Sequence, residues 1–413
     1  MTPTEANDKK SEAFEARPLD GVRVLDLATF VAAPFSATIL GEFGAEVIKV
    51  EQPGSGDPLR GLGKPSARDD DTYFWLSEAR NKRSVTLDLR RTEGADLLKR
   101  LAACSDVVCE NFRPGTLEKW GLGWDVLSDC NPGLVLLRIS GFGQTGPYKN
   151  RPGFARIAHA FGGLAHLTGM PGGPPLTPGS TSLGDYIAGL YGAIGVLLAL
   201  RARDTTGRGQ VVDMALYEAV FRLLDEIAPA HAADGTVRGR LGLGTSNACP
   251  HGHFETADGQ WVAIACTSDK MFGRLCEVMD RPELAAPEKW ARVARRIAEN
   301  EAVDGEVVSW TRARTRAEVL DECERGEVPC APVNSIADIF ADPQFQARGD
   351  LAEVDDPVLG TVTVPRVYPL LSETPGSIHA LGPRLGGDTD SVLGDLLGLS
   401  GDELRALRDE SVI

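Results

Sequence analysis

The run Val22-Arg-Val-Leu-Asp-Leu-Ala-Thr-Phe-Val-Ala-Ala-Pro-Phe-Ser-Ala-Thr-Ile-Leu-Gly-Glu-Phe-Gly-Ala-Glu-Val-Ile-Lys-Val50 decides the fold class. Val22–Leu27 is a short, nearly continuous apolar run, the pattern of a strand buried on both faces. Pro34, set near a first turn, opens a helix through Phe43. Glu46–Val50 is a second buried strand. The same alternation continues outward. Ser84-Val-Thr-Leu-Asp-Leu89 reads as a strand feeding a helix over Thr92–Ala103, and Asp106-Val-Val108 and Leu134–Ile139 as two more strands. Gln210–Val220 supplies a further strand or helix. Strands alternating with helices imply an α/β domain with a parallel sheet covered on both faces. Ligands on such sheets bind past the carboxyl ends of the strands. This draws attention to Phe30–Ala33, Leu87–Arg90, Glu110–Arg113 and Ser140–Gly143.

A second stretch carries the chemistry. Gly179-Ser-Thr-Ser-Leu-Gly-Asp185 leads into a run without charge or proline that ends at Arg201. That run is shorter than the roughly 20 apolar residues a bilayer crossing needs. Gly189, Gly192 and Gly195 suit a helix buried in a large soluble core. Asp185 at its start has the ordinary reading of a helix N-cap. The upstream sequence argues for more. Between Asp129 and Asp185 there is no Asp or Glu, although 59 acids in 413 residues predict about eight. Arg138, Lys149, Arg151 and Arg156 remain. A chain of net charge −16 thus holds one locally positive window ending at a lone carboxylate. Such a window suits a pocket for an anionic ligand with one acid kept for chemistry.

Net charge −16 excludes nucleic acid as an ordinary partner. Residues 1–18 are polar and charged, and are read as a flexible tail that is neither signal peptide nor membrane anchor. The expected location is cytoplasmic. None of the eight cysteines forms a CxxC pair, which favours reduced, buried thiols. Cys249, His251 and His253 would share one face of a strand, but no fourth ligand is near and Asp258-Gly explains the segment as a hairpin, so no metal is expected. Gly141-Phe-Gly-Gln-Thr-Gly146 matches a dinucleotide fingerprint. Pro147 and Pro152 spoil the helix that should follow and no acid comes at the required distance, which leaves a phosphate or substrate turn. Composition divides the chain into the tail (1–18), a large domain (19–220), a linker (221–245), a small α+β domain (246–335), a linker (336–360) and a C-terminal return to the large domain (361–413). Helices are expected near Lys270–Met279, Glu288–Asn300, Arg316–Arg325 and after Ser400.

The ordered set Leu19-Asp-Gly-Val-Arg-Val-Leu-Asp, Gly44-Ala-Glu-Val-Ile-Lys-Val-Glu51, Asn81-Lys-Arg-Ser84, Glu110-Asn-Phe-Arg-Pro-Gly115 and Gly184-Asp185 closely resembles the family III CoA-transferases. Thr206-Gly-Arg-Gly-Gln210 and Thr256-Ala-Asp-Gly259 extend the resemblance over nearly the whole chain. It implies a Rossmann-like parallel-sheet domain formed by both chain ends, an inserted small α+β domain and an interlocked dimer. It places the nucleophile on Asp185 and CoA against Val31, Ala32, Leu87, Asp88, Leu89, Arg90, Asn111, Phe112, Arg113, Lys119 and Phe142. Coenzyme A thioesters are then substrates, with no tightly bound cofactor. Gln52 and Ser140 depart from the family pattern, and the glycine run that covers the site in formyl-CoA transferase shrinks to Gly242-Leu-Gly244.

A carboxylate can carry CoA between acids by attacking the thioester, passing through an anhydride and holding the thiol as an aspartyl thioester. Gly184 and the loop Gly141–Gly143 are candidates to supply N–H groups to the oxyanion. Phe30–Phe35 and Arg151–Ala158 look like the subgroup that uses succinyl-CoA as donor to dicarboxylates, benzylsuccinate and malate, with a slight lean to benzylsuccinate. Arg156 is the candidate for the second carboxylate, with Arg151 behind it. That resemblance allows a homodimer or a heteromer with a paralogous subunit. Two rivals stand beside it. An α-methylacyl-CoA racemase would need a base where Gly153-Phe-Ala-Arg156 stands, with His159 as a substitute. The other rival is a non-catalytic subunit of a heteromeric transferase.

Overall fold

The computed structural model describes residues 17–69, 71–179 and 181–413, so most of the expected tail lies outside the described residues. Contacts divide the chain into two units. The first holds the described residues up to Leu164, together with Pro178–Asp225 and Arg348–Ile413. The second holds Ala165–Thr177 and Glu226–Ala347.

In the first unit six strands run parallel: β1 (Arg23–Asp26), β2 (Glu46–Glu51), β3 (Lys82–Thr86), β4 (Val107–Glu110), β5 (Val135–Ser140) and β6 (Val211–Ala215). Their order is β3-β2-β1-β4-β5-β6, the doubly wound arrangement in which the connections reverse direction between β1 and β4. Neighbouring side chains on one strand point to opposite faces. Val24 packs with the helices Ala32–Glu42 and Leu183–Thr206 on one face, while Leu25 packs with Thr92–Ala103 and the C-terminal Val392, Leu393, Val412 and Ile413 on the other. Burying both faces is why these strands carry apolar runs, such as Val107–Cys109 and Val135–Leu137, and why the buried charged residues within them are paired.

The helix Leu183–Thr206 has the length and hydropathy of a membrane span, and half of its most apolar window is buried in the protein. Its glycines explain the fit. A Cβ on Gly189 would stand 2.6 Å from the Ala32 carbonyl oxygen, and one on Gly192 2.5 Å from Ser36 Oγ. Only glycine lets this helix approach so closely. A two-stranded antiparallel pair, Leu351–Asp356 with Gly360–Pro365, belongs to the same unit.

The second unit has its own core around Phe254, Val262, Ile264, Phe272, Leu275 and Trp310, on a three-stranded antiparallel sheet. Its first two strands, His251–Glu255 and Trp261–Ala265, form the hairpin expected around Asp258-Gly259. Cys249, Cys266, Cys276 and Cys323 are packed in this core. Among the described residues no three His, Cys, Asp or Glu side chains are grouped so as to hold a metal ion.

Candidate active site

The turn that leaves β1 forms one wall of the site, and it is held in an unusual shape. Phe30 has φ 63°, a left-handed conformation that costs a non-glycine residue roughly 1–2 kcal/mol. Two side chains over-determine it. The Phe30 N–H donates to Asp57 Oδ1 at 3.0 Å, and Asn111 brackets Thr29, accepting its N–H at 2.8 Å and donating to its carbonyl at 2.6 Å. Asp57 is held in turn by fully buried Lys49, whose Nζ lies 2.9 Å from Asp57 Oδ2 and donates to the Ala28 carbonyl. Lys82 Nζ sits 2.9 Å from Asp26 Oδ2 and donates to the Pro34 carbonyl. Burial opposes the charge on Lys49, but Asp26, Asp57 and Glu51 outweigh it and raise its pKa.

Past the carboxyl ends of β1, β4 and β5 these turns enclose a cavity of about 180 Å³. It lies at the reversal between β1 and β4, where open α/β sheets bind ligands. Val31, Ala32, Asn111, Phe112, Arg113 and Asp185 line it. A neighbouring pocket of about 90 Å³ shares Thr29 and Phe112 with it and is lined by Leu87, Leu89, Arg90, Gln52 and Trp120. Asp88 pairs with Arg90 at 2.8 Å; that contact chiefly, with help from Gln52, pulls its carboxyl down to about 2. The other expected contacts lie outside both cavities. Lys119 ends the short helix Thr116–Lys119, Gly143 (φ 81°) stands near the Asp213 carboxylate, and Phe142 joins an aromatic cluster with Tyr148, Phe161 and Tyr217.

Asp185 is the third residue of its helix, not the cap; Ser182 holds the N-cap position and makes no side-chain cap bond. Asp185 is 9% exposed and makes no ion pair or side-chain hydrogen bond with any described residue. Burial alone pushes its carboxyl up to about 7. A helix N-terminus favours an ionised carboxylate, but here loss of water is the larger influence.

Three cations share the cavity with it: Arg113, Lys149 and Arg151. None is ion-paired within the described residues, and Arg151 lies 3.6 Å above the Tyr148 ring. Arg156, the residue picked from sequence to hold a second carboxylate, is exposed on the helix Ala155–Phe161 and does not line this cavity. Lys149, counted in the positive window but given no role there, does. The other correction concerns Gly184. Its N–H is not available to an oxyanion, because it donates to His159 Nε2 at 2.8 Å. The same bond occupies the ring that would have been the substitute base of a racemase.

The loop Gly141–Phe154 forms no helix, as its prolines predicted. Its two ends touch backbone to backbone, since a Cβ on Gly141 would stand 2.8 Å from Gly153 Cα. Phe154 closes against Phe30 edge-on, with ring centroids 5.8 Å apart.

A doubly wound sheet, a cavity at its reversal, and three cations and one buried carboxylate that are unpaired among the described residues make a site fitted to an anionic ligand. The family model described as CoA-transferase family III matches residues 19–389, and the chain belongs to that family. It is similar to two subunits of succinyl-CoA–L-malate CoA-transferase of Chloroflexus aurantiacus. It is 55% identical to the alpha subunit over 97% of this chain and 93% of that one. It is 58% identical to the beta subunit over 96% of this chain and 98% of that one. Among solved structures it resembles a CAIB/BAIF family protein from Brucella suis, with a TM-score of 0.81 and 35% identity over 92% of this chain and 99% of that one. The enzyme is thus a CoA-transferase whose substrates are CoA thioesters.

Proposed function

We propose that this enzyme moves CoA from succinyl-CoA to a short dicarboxylate, with L-malate the foremost acceptor, through a thioester on Asp185. The observation that carries the reading is the buried carboxylate of Asp185 lining a cavity with three cations, none of the four ion-paired among the described residues. A nucleophile must be free of partners to attack, and a dicarboxylate acceptor needs positive charge for the end that does not react. Asp185 Oδ attacks the thioester carbonyl, and the C–S bond breaks to give an anhydride and CoA thiolate. The thiolate then attacks the Asp185 carbonyl carbon and expels succinate, leaving the aspartyl-CoA thioester. The acceptor carboxylate repeats the two steps in reverse and restores Asp185. No net proton moves.

Val31, Ala32, Asn111, Phe112 and Arg113 would face the thioester end of CoA, and Leu87, Leu89 and Arg90 the adjoining part. Arg113, Lys149 and Arg151 would share the anionic ends of donor and acceptor. The names of both Chloroflexus relatives weigh for malate over benzylsuccinate as acceptor. They also support work in a pair of subunits. The exposed face of the nucleophile's helix (Leu190, Ile194, Leu197) borders an apolar cavity of about 750 Å³ that suits such a neighbour. Comparable identity to an alpha and a beta subunit leaves self-pairing and pairing with a paralogue as the alternatives, which native mass of the chain alone and with its paralogue separates.

The test is a trap. Enzyme incubated with succinyl-CoA and quenched with hydroxylamine acquires a hydroxamate on Asp185, located by mass spectrometry. Steady transfer to L-malate with Asp185 left unmodified would overturn the reading.

A further inference from the structure

The helix Leu183–Thr206 begins without the usual help. Ser182 at the N-cap makes no side-chain bond; its carbonyl accepts from the Asp185 and Tyr186 N–H groups, which leaves the Gly184 N–H in need of another acceptor. His159 supplies it from the helix Ala155–Phe161: its Nε2 accepts the Gly184 N–H at 2.8 Å, one residue before the nucleophile. A backbone N–H can only donate, so Nε2 is the bare nitrogen and the ring proton resides on Nδ1. That proton has no acceptor among the described residues, in a side chain that is 2% exposed. A core histidine kept for its own satisfaction would use both nitrogens; this one leaves one unmet in order to serve the helix. The approach is close: a Cβ on Gly184 would meet His159 Cδ2 and Nε2 at 3.2 Å.

We propose that His159 is a positioning residue for the transfer reaction: its neutral ring replaces the missing N-cap and fixes the first turn that aims Asp185. The proposal rests on the reading of Asp185 as nucleophile. Burial, with Arg156 adding to it, holds the ring below its ordinary range and so keeps it neutral.

The experiment compares His159→Leu with His159→Gln, whose amide oxygen reaches the same N–H. His159→Leu should lower kcat about tenfold with KM for succinyl-CoA changed by less than about threefold, the signature of a lost alignment rather than lost binding. His159→Gln should restore most of kcat. The rate of aspartyl-CoA formation, read by hydroxylamine trapping, should fall with kcat in the Leu variant. If His159→Leu does not fold, as judged by its melting curve, His159→Met takes its place, since a thioether accepts only weakly. Unchanged kcat in the apolar variant, or a Gln variant as impaired as it, overturns the proposal. If wild-type enzyme traps nothing on Asp185, the nucleophile reading itself fails, which is a different result.

Discussion

Two buried groups of acids lie near the carboxyl ends of the same sheet, and they are treated in opposite ways. Asp26, Glu51 and Asp57 are compensated at every turn. Lys49 and Lys82 reach the two aspartates, while Arg60 meets Glu51 at 2.7 Å and Ser84 Oγ donates to it at 2.6 Å. Burial pushes Glu51 up, yet Arg60, Lys49 and Ser84 outweigh it and hold the carboxyl below its usual range. Asp185, which lines the cavity beyond the Phe30 turn, has no compensating partner among the described residues and is pushed up to about 7. A raised pKa alone would not distinguish it. Burial also pushes Glu110 up to about 7, although Arg138 at 2.6 Å and the Phe112 N–H pull the other way. What separates Asp185 is the missing partner. A carboxylate already spent on an arginine holds structure together, and one left unspent can attack.

The largest effect should come from removing the unspent acid. Asp185→Asn should lower turnover by at least about a thousandfold, and at the same time raise stability at pH 8. Folding lifts this carboxyl from its ordinary value to about 7, so the folded state binds a proton more tightly than the unfolded chain. Stability from this group is therefore full below about pH 4 and is lost as pH rises through 7, by a few kcal/mol at most at ~1.4 kcal/mol per pH unit. A melting temperature for Asp185→Asn equal to or below wild type at pH 8 would break the contrast.

On the compensated side the expectation reverses. Lys49→Met should cost about 3–5 kcal/mol by leaving buried carboxylates short of a partner, read as a lower midpoint in denaturant. The contrast is sharpened by pH. The profile of kcat/KM should fall tenfold per unit below about pH 7, as Asp185 takes up its single proton. A profile flat down to pH 5 would show that something in solution does pair with this acid. The smallest effect is expected at the rim. Lys149→Ala should raise KM for a dicarboxylate acceptor about tenfold, a loss near 1.4 kcal/mol, while a monocarboxylate acceptor is used as before. Equal losses on both acceptors would assign Lys149 to CoA rather than to the acceptor.

Much of the sheet could be read from sequence because strands buried on both faces carry unbroken apolar runs, as Leu134–Leu137 does. Where the core is polar the reading slipped. The apolar pattern predicts the third strand at Ser84–Leu89, but it runs over Lys82–Thr86, because Lys82 and Ser84 are buried through ion pairing and hydrogen bonding rather than through apolarity. The helices Asn300–Thr311 and Thr389–Leu397 went unread for a related reason. The first is dotted with Glu301, Asp304, Gly305 and Glu306, and the second is interrupted by Gly394. At the site, Asp185 stood out because a charge desert is a property of sequence. The roles of Asp57 and His159 seen in the structure did not, since their partners lie 27 and 25 residues away in the chain and only the fold brings them together. Arg156 and Lys149 are alike for the same reason: both are cations in one window, and nothing local says that Lys149 is the one lining the cavity.

The contact between Gly141 and Gly153 has a practical consequence for anyone wishing to change what this enzyme accepts. With its ends pressed together with no space for even a methyl group, the loop that carries Lys149 and Arg151 behaves as a cassette. On the proposed acceptor-binding role of Lys149 and Arg151, trading it whole, glycines included, between relatives should change the acceptor, whereas a side chain added at either end would force the two backbones apart and shift the loop.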